Sequence, residues 1–244
     1  MKTVAIIQAR MGSTRLPGKV LMDLSGRPML AQQLARLKRC TRLDELVVAT
    51  TTNVRDDPVE ALARDEGVRC FRGSEDDVLS RYVGAALDAG ADVVVRITAD
   101  CPLIDPEVTD CVIRALIDQS STCEFTSNTL ERTYPAGLDV EAFFIDVLHR
   151  ISRLSTRPEE REHVTIVVRT RPSLFLCSHV KDDADNSDLR WAVDRRPDLE
   201  MVRAIYDGLG LGRTPRPYRE VLAFARAHPE LGAINVESET STLR

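Results

Sequence analysis

The sequence has few aromatic residues and no excess of positive charge. Phe, Trp and Tyr make up 5% of its 244 residues, and it contains a single tryptophan. Proteins that bind single-stranded nucleic acid combine aromatic stacking surfaces with a basic groove. The formal net charge of -5 and the pI of about 5.5 are not typical of such proteins. We therefore expect no nucleic-acid partner, and any cationic site must be local and suited to a small anion.

Long apolar runs and paired cysteines are also missing. The first apolar run, residues 3–7, ends at Gln8, so it is too short for a secretory signal or a membrane span. The six cysteines include no C-x-x-C pair, so no zinc site is expected, and free thiols are the default in a reducing compartment. These absences predict a cytoplasmic protein without a membrane partner.

Short apolar runs alternate with helical patterns through the first 120 residues. The pattern predicts strands at 4–7, 45–51, 68–73 and 91–100, and helices at 28–40, 57–64, 75–89 and 106–119. This alternation predicts an α/β fold with a mixed, mostly parallel sheet flanked by helices. Ligands of such sheets bind at the carboxyl ends of the strands, which here are followed by the segments 8–19 and 98–105.

The pattern changes after residue 120. Strands are predicted at 124–128, 137–143, 163–170 and 174–180, and helices at 145–154, 198–208 and 217–228. We expect this half to add antiparallel strands and to cover the ligand. The absence of repeats and low-complexity linkers predicts one domain over 1–234, followed by a mobile polar tail at 235–244.

The segment QARMGSTRLPGKVL, residues 8–21, concentrates positive charge directly after the first predicted strand. It carries Arg10, Arg15 and Lys19 and no acidic residue. Cationic side chains and backbone N–H groups in such a loop converge on phosphate in many proteins. The alternative is a solvated basic loop, because arginine and lysine are usually exposed.

This loop does not match the common phosphate-binding patterns. The spacing between Gly12 and Gly18 is one residue longer than in a P-loop, and Val20 stands where the P-loop has a hydroxyl residue. Pro17 also lacks a backbone N–H. The dinucleotide-binding pattern G-x-G-x-x-G is absent as well.

The loop resembles the opening signature of sugar-activating cytidylyltransferases, [IV]-x-A-R-x-G-S-x-R-[LI]-P-G-K, over residues 7–19. The sequence is similar to the family of CMP-3-deoxy-octulosonate and CMP-sialic acid synthetases, and within it to the SpsF-like proteins of spore-coat polysaccharide biosynthesis. Further similar segments follow in the same order, at 73–82, 96–105, 126–141, 159–165 and 189–200.

The resemblance implies a Rossmann-like nucleotidyltransferase fold of GT-A type. It implies a Mg²⁺-dependent enzyme that joins the CMP moiety of CTP, or another NMP, to a sugar acid or related polysaccharide precursor and releases pyrophosphate. Residues 1–120 would then bind the nucleotide and residues 121–234 the acceptor. A homodimer formed through the second half is a further expectation from the resemblance.

In this reading the cationic loop binds the triphosphate. Arg10, Arg15 and Lys19 would neutralise the phosphates and the transition state, and Gly12 would let the backbone of residues 11–13 approach the phosphates. Thr98 stands where the octulosonate enzymes carry glutamine, and its shorter side chain leaves the base preference open. The implied nucleotide-binding residues are Ala9, Arg10, Met11, Gly12, Ser13, Arg15, Lys19, Arg72, Ser74, Thr98 and Asp100.

The resemblance also implies a metal site and an acceptor site. Asp100 and Asp194 are the implied Mg²⁺ ligands, and Mg²⁺ commonly takes one or two carboxylates plus phosphate oxygens. From the residues alone, Asp100 is equally compatible with a turn and Asp194 with a helix N-cap. The acceptor candidates are Asn128, Tyr134, Gly137, Asp139, Glu141, Glu162 and His163.

Two other functions stay open. One is a GT-A type glycosyltransferase, but three loop cations suit a triphosphate better than a diphosphate, and no D-x-D motif follows the strongest predicted strand. The other is a non-catalytic nucleotide-binding partner protein, against which the intact loop and both aspartates argue. No protein nucleophile with an adjacent base is evident, so direct in-line displacement is expected.

Overall fold

A seven-stranded mixed sheet forms the centre of the protein. The computed structural model describes residues 1–240, and for residues 236–240 it describes the backbone only. The strands of the protein are β1 (Thr3–Gln8), β2 (Asp23–Leu24), β3 (Arg27–Pro28), β4 (Glu45–Thr51), β5 (Arg69–Gly73), β6 (Val93–Thr98), β7 (Phe125–Ser127), β8 (Glu141–Phe144) and β9 (Cys177–His179). Strands β2 and β3 form a separate small hairpin, and the order of the main sheet is β5-β4-β1-β6-β8-β7-β9.

The two halves of the chain pair differently within this sheet. Strands β5, β4, β1 and β6 are parallel, whereas β8 joins β6 and β7 in antiparallel pairs. The predicted mixed, mostly parallel sheet with antiparallel additions is therefore confirmed. Gln8 lies opposite both Ala49 and Thr98, so the carboxyl ends of β1, β4 and β6 meet at one edge.

Helices cover both faces of the sheet. They are α1 (Met29–Leu37), α2 (Asp57–Asp65), α3 (Val78–Ala89), α4 (Pro106–Asp118), α5 (Ile145–Leu154), α6 (Pro158–Glu162), α7 (Ile166–Thr170), α8 (Arg196–Leu209), α9 (Tyr218–Ala227) and α10 (Pro229–Thr240). None of the described helices is both long enough and apolar enough to cross a membrane.

The core is divided by the alternation of side chains along the strands. Ala5 and Ile7 of β1 face the core shared with α1, α2 and α4, whereas Val4 and Ile6 face the core shared with α3, α5 and α7. A third apolar cluster, around Trp191, packs α8 and α9 against the residues of the β2–β3 hairpin. This cluster fixes the segment before α8 against the body of the protein.

One prediction for the second half is wrong. Residues 163–170 were expected as a strand, but residues 166–170 form α7, which buries Val167 and Val168 in the core beside α5. The β-branched run favours a strand locally, and tertiary burial overrides that preference. Of the tail predicted at 235–244, residues 235–240 continue the helix α10 and residues 241–244 lie outside the described residues, so its mobility stays a prediction.

Candidate active site

The cationic loop leaves the carboxyl end of β1 and is held by its own backbone. The carbonyl of Met11 accepts hydrogen bonds from the N–H groups of Ser13 and Gly18, both at 2.9 Å. The N–H of Met11 donates to Oδ1 of Asp56 at 2.7 Å. The N–H groups of Met11 and Ser13, expected to approach a phosphate, are therefore already satisfied. Those of Gly12, Thr14 and Arg15 have no acceptor among residues 1–240.

Gly12 lies directly against the side chain of Arg55. A Cβ at this position would lie 2.7 Å from Nη2 of Arg55, whose guanidinium forms an ion pair with Glu75. A side chain at position 12 would therefore displace the guanidinium of Arg55 from its present position. Gly12 still lines the cavity described below.

Lys19 lies between the two aspartates that the sequence singles out. Its Nζ is 3.0 Å from Oδ1 of Asp194, 3.5 Å from Oδ2 of Asp100 and 2.7 Å from the carbonyl oxygen of Val193. The Lys19 side chain is only 12% exposed, so this contact is shielded from solvent. Both carboxylates therefore face one small region at the carboxyl edge of the sheet.

Asp194 is the most strongly neutralised of these acids. Oδ2 of Asp194 lies 3.1 Å from Nη2 of Arg15 and 2.6 Å from Nη2 of Arg190. Burial alone would raise the pKa of this carboxyl group, but Lys19, Arg15 and Arg190 outweigh it and hold the pKa below its ordinary value. Asp194 is therefore a carboxylate at neutral pH.

The alternative role of Asp194 as a helix N-cap is wrong. Arg195 occupies the N-cap position of α8, and Asp198 accepts from the N–H groups of Asp194 at 3.0 Å and Arg195 at 2.8 Å. The capping is done by Asp198, which leaves the carboxylate of Asp194 for the site. The N–H of Val193 donates to the carbonyl of Asp100 at 2.8 Å and ties the two segments together.

Asp100 follows β6 and also points to this region. Its Oδ1 accepts a hydrogen bond of 2.5 Å from Oγ1 of Thr98 and one of 3.5 Å from Sγ of Cys101. The next acid along the chain, Asp105, caps α4 through the N–H groups of Glu107 and Val108. The two acids after β6 thus have different tasks, and only Asp100 contributes to the site.

A cavity of about 370 Å³ lies over the cationic loop; we call it the loop cavity. It is lined by Gln8, Ala9, Arg10, Gly12, Ser13, Thr14, Arg15, Lys19, Val20, Val78, Arg81, Arg96, Thr98, Ala99, Asp100, Glu162, His163 and Asp194. Eight of the implied nucleotide-binding residues line it: Ala9, Arg10, Gly12, Ser13, Arg15, Lys19, Thr98 and Asp100. Asp194 lines it as well, so both implied metal ligands, Asp100 and Asp194, face this cavity.

Three residues of the implied nucleotide set do not line the loop cavity. Met11 packs against the core shared with α1, α2 and α4. Arg72 forms ion pairs of 2.7 Å with Asp57 and 2.8 Å with Glu60, on the far side of β4. The hydroxyl of Ser74 accepts from the N–H of Asp77, and its carbonyl accepts from Nη1 of Arg81. Arg72 therefore lies outside the loop cavity, and its guanidinium is engaged by two acids of α2.

A second cavity of about 390 Å³ adjoins the loop cavity. It is lined by Arg96, Thr98, Thr129, Asp139, Glu141, His163, Thr165, Ile166 and Arg169. Arg96, Thr98 and His163 line both cavities and so form a shared wall. Of the acceptor candidates, Asp139, Glu141 and His163 line the second cavity, and Glu162 lines the loop cavity.

The other acceptor candidates have structural tasks outside both cavities. Asn128 donates to the carbonyl of Leu138 at 2.7 Å and accepts from the N–H of Val140 at 2.9 Å. Tyr134 packs in the third apolar cluster, with its ring 5.5 Å from that of Tyr218. Gly137 has φ of +110°, and a Cβ there would lie 2.6 Å from the backbone nitrogen of Ala192. Its missing side chain serves chain packing rather than the approach of a substrate.

Sequence reasoning missed several residues of the shared wall and second cavity. Arg96 pairs with Glu141 at 2.9 Å, and Oγ1 of Thr165 donates to the same carboxylate at 2.7 Å. Burial alone would lower the pKa of Arg96, but Glu141 outweighs it and raises that pKa. The signal was present, because Arg96 is the one charged residue within the strongest apolar run. Thr129, Thr165 and Arg169 had no such signal.

These features coincide with those of a known family. A sequence model described as Cytidylyltransferase matches residues 4–187, a span that contains the cationic loop, the shared wall and the second cavity. The chain belongs to the cytidylyltransferase family. It is therefore a nucleotidyltransferase, as the resemblance of its opening loop implies.

Relatives of this cytidylyltransferase share nearly its whole length. The spore coat polysaccharide biosynthesis protein SpsF of Bacillus subtilis is 35% identical over 212 residues, which are 84% of this chain and 86% of that protein. The structure of a cytidylyltransferase from Leptospira borgpetersenii matches with a TM-score of 0.90 at 32% identity, over 95% of this chain and 97% of that one.

A more distant structure shows the fold alone. CMP:2-keto-3-deoxy-manno-octonic acid synthetase complexed with CTP matches with a TM-score of 0.67 at 22% identity, over 86% of this chain and all of that one. The predicted α/β architecture is thus the Rossmann-like nucleotidyltransferase fold of these cytidylyltransferases.

The donor set of this cytidylyltransferase fits a magnesium ion. No group of three or more His, Cys, Asp or Glu side chains that could hold a metal occurs among the side chains that the structure describes, those of residues 1–235. Asp100 and Asp194 nevertheless face the same ammonium group, and Mg²⁺ requires only one or two protein carboxylates when phosphate oxygens complete its shell. The hard oxygen donors of this pair suit Mg²⁺ better than a softer metal.

Proposed function

We propose that this cytidylyltransferase transfers CMP from CTP to a sugar acid or a related polysaccharide precursor, with Mg²⁺ as cofactor and pyrophosphate as the leaving group. The observation that carries the proposal is the shared wall: Arg96, Thr98 and His163 line both cavities. A nucleotide in the loop cavity and an acceptor in the second cavity would therefore both contact these three residues and lie next to each other.

The charges of the loop cavity support a triphosphate there. Arg10, Arg15 and Lys19 all line it, and their cationic groups are oriented by Glu162, Asp194 and Asp100. Cations held in place before the reaction stabilise the charge that develops in the transition state without further reorganisation. The N–H groups of residues 12, 14 and 15 add neutral donors from the same loop.

Asp100 and Asp194 are the residues that would hold Mg²⁺. When bound, the ion supplies positive charge that polarises the phosphate and favours departure of pyrophosphate. Lys19 contacts both carboxylates and so ties the two side chains to one position.

The transfer itself is a direct displacement at the α-phosphorus. An oxygen of the acceptor forms the new bond to phosphorus, the bond to the bridging oxygen breaks, and pyrophosphate leaves with that electron pair. The hydroxyl proton of the acceptor passes to a base at the shared wall, and we assign this task to His163, the imidazole that lines both cavities.

The second cavity suits an acidic acceptor. Its carboxylates are already neutralised, since Asp139 receives two hydrogen bonds from Arg132 at 2.7 and 2.8 Å and Glu141 pairs with Arg96. Arg169 donates to Oγ1 of Thr129 at 2.5 Å and forms no ion pair within the described part of the chain. Its guanidinium is therefore the group available for an acceptor carboxylate.

A pyrophosphate-release assay tests the proposal. CTP, UTP, GTP and ATP are each paired with a panel of sugar acids and sugar phosphates, with Mg²⁺ and with EDTA. We expect release only with Mg²⁺, with CTP as the best donor and a sugar acid as acceptor. Nucleotide binding without release under any pairing would instead support the partner-protein function. Transfer from a CMP- or UDP-sugar without pyrophosphate would support a glycosyltransferase.

A further inference from the structure

Asp100 and Asp194, the two implied metal ligands, are held in the same way. Oδ1 of Asp100 accepts a hydrogen bond of 2.5 Å from Oγ1 of Thr98, and its Oδ2 lies 3.5 Å from Nζ of Lys19. Oδ2 of Asp194 accepts from Nη2 of Arg190 at 2.6 Å, and its Oδ1 lies 3.0 Å from the same Nζ. In each carboxylate one oxygen is therefore held by a neighbouring side chain, and the other is turned toward the ammonium of Lys19.

The plane of an aspartate carboxylate is not fixed by its own side chain. The torsion that turns this plane is broad and roughly two-fold, unlike the torsion before it, which has three staggered positions. The backbone therefore places the carboxyl group, and hydrogen-bond donors decide which oxygen faces in which direction. This orientation matters for a ligand of Mg²⁺, because the ion demands near-octahedral geometry.

Two contacts of Asp194 come from the side of the nucleotide. Arg15, which lies 3.1 Å from Oδ2, and Lys19 both line the loop cavity. Phosphates bound in that cavity would compete with Asp194 for these two cations. Another group must therefore orient the carboxylate of Asp194 while the nucleotide is bound.

Arg190 contacts Asp194 from a different side. It does not line the loop cavity but a separate cavity of about 550 Å³ between α8, α9 and α10. Asn235 of α10 donates to the carbonyl of Arg190 at 3.1 Å, and Oδ1 of Asp198 lies 3.9 Å from its Nε. Asp198 also accepts from the N–H of Asp194 through Oδ2. Arg190 and the backbone of Asp194 thus share one anchor, which lies outside the loop cavity.

Thr98 holds Asp100 in the corresponding way. It ends β6 and lies opposite Gln8 of β1, so the sheet sets the position of its hydroxyl group. A hydroxyl group has one hydrogen, and that of Thr98 is donated to Asp100. The hydroxyl group therefore orients Asp100 and offers no hydrogen to a nucleotide base.

From these contacts we infer that Thr98 and Arg190 are positioning residues of the metal site. Thr98 holds one oxygen of Asp100, Arg190 holds one oxygen of Asp194, and the other oxygen of each carboxylate is left for Mg²⁺. The inference rests on the proposed function. Hydrogen-bonding partners of metal ligands typically contribute on the order of 10- to 100-fold to metal affinity. Without its partner, either carboxylate can turn, and Mg²⁺ is bound less tightly.

Calorimetric titration of the protein with CTP, without an acceptor, tests the inference. Each titration is done in Mg²⁺ buffer and in EDTA, and the ratio of the two CTP affinities measures how strongly metal and nucleotide favour each other's binding. Thr98→Val and Arg190→Gln remove the two contacts, whereas Thr98→Ser and Arg190→Lys keep a hydroxyl group and a charge. Arg226→Gln is the matched control, because Arg226 lines the same cavity as Arg190 but pairs with Asp188.

We expect Thr98→Val and Arg190→Gln to bind CTP in Mg²⁺ buffer on the order of 10- to 100-fold more weakly than the wild type. In EDTA their CTP affinity should equal that of the wild type, a separation that a merely structural role would not produce. Thr98→Ser should retain the effect of Mg²⁺, and Arg190→Lys a part of it, because lysine lacks the planar fork of arginine. The control should match the wild type in both buffers.

Two outcomes would overturn the inference and leave the proposed function standing. If a variant loses CTP affinity equally in Mg²⁺ and in EDTA, the residue binds the nucleotide or maintains the fold. If Thr98→Val and Arg190→Gln bind CTP as tightly as the wild type in both buffers, other groups orient the carboxylates.

Thermal melts identify any variant that fails to fold, and Thr98→Ala or Arg190→Lys then takes its place in the comparison. A wild-type protein with the same CTP affinity in Mg²⁺ and in EDTA would instead overturn the Mg²⁺ dependence of the proposed function.

Discussion

The ammonium of Lys19 lies 3.0 Å from Oδ1 of Asp194, although 175 residues separate them in the chain. The same ammonium lies 3.5 Å from Oδ2 of Asp100. One residue of the cationic loop thus connects the carboxyl end of β6 with the segment before α8. This contact joins the implied phosphate-binding and metal-binding groups into one site.

Removal of this ammonium should weaken nucleotide binding. For Lys19→Ala we expect CTP affinity to fall by about 1.5–3 kcal/mol, the typical contribution of a hydrogen bond to a charged group. Equilibrium titration with CTP measures the change, and Lys38→Ala, a substitution on the exposed surface near Glu66, is the control. If only the affinity for the acceptor changed, the loop would bind the acceptor and not the triphosphate.

Neutralising one implied metal ligand should abolish the Mg²⁺ response. We expect Asp100→Asn to lower kcat on the order of 100- to 1,000-fold, because the oxygen that remains is a weaker ligand and carries no charge. Activity measured against Mg²⁺ concentration, with circular dichroism as a check of the fold, gives the result. The control is Asp183→Asn on an exposed loop. Unchanged turnover would remove Asp100 from the metal site.

Arg169 should affect the acceptor and not the nucleotide. For Arg169→Gln we expect the KM of a sugar-acid acceptor to rise on the order of 10- to 100-fold, because one charge-assisted contact is lost. The Kd of CTP should stay the same. Arg153→Gln, which removes an exposed charge from α5, is the control. A weaker CTP complex with an unchanged acceptor KM would contradict the assignment of the second cavity.

Glu160 should make the segment that carries Glu162 and His163 sensitive to acid. The N–H groups of Arg157 and Thr156 and the guanidinium of Arg157 lower the pKa of Glu160 from its ordinary value of 4.5, and Arg171 contacts it at 2.7 Å. A lowered pKa in the folded state means that ionised Glu160 stabilises the protein above pH 4.5. That contribution is lost as the pH falls through the lower, folded-state value.

Urea unfolding of Glu160→Gln measures this contribution. At pH 7 the variant should unfold at a lower urea concentration than the wild type, and the difference should shrink below pH 4.5. Glu159→Gln, an exposed neighbour on α6, should show no such difference. If the difference in urea midpoint stayed constant with pH, Glu160 would stabilise the protein through its packing and not through its charge.

Local patterns were sufficient for most elements of the first half and for one helix of the second half. The strand β4 and the helix α5 have the predicted bounds, and β1, β5, β6 and α4 differ from prediction by a few residues at their ends. Periodicity encodes such elements because side chains alternate along a strand and recur every third or fourth residue along a helix. The rule that ligands bind at the carboxyl ends of parallel strands also singles out the segments 8–19 and 98–105, and the structure shows that the strands before them are neighbours.

The sequence by itself therefore determined the fold class, the cationic loop and, through its resemblance, the cytidylyltransferase family. Only the tertiary structure decided which side chains share a cavity. Asp198 caps α8 and leaves the carboxylate of Asp194 for the site, and two acids of α2 engage Arg72. The reason is physical: such contacts join residues far apart in the chain, and local periodicity carries no information about the side-chain partner that another element supplies.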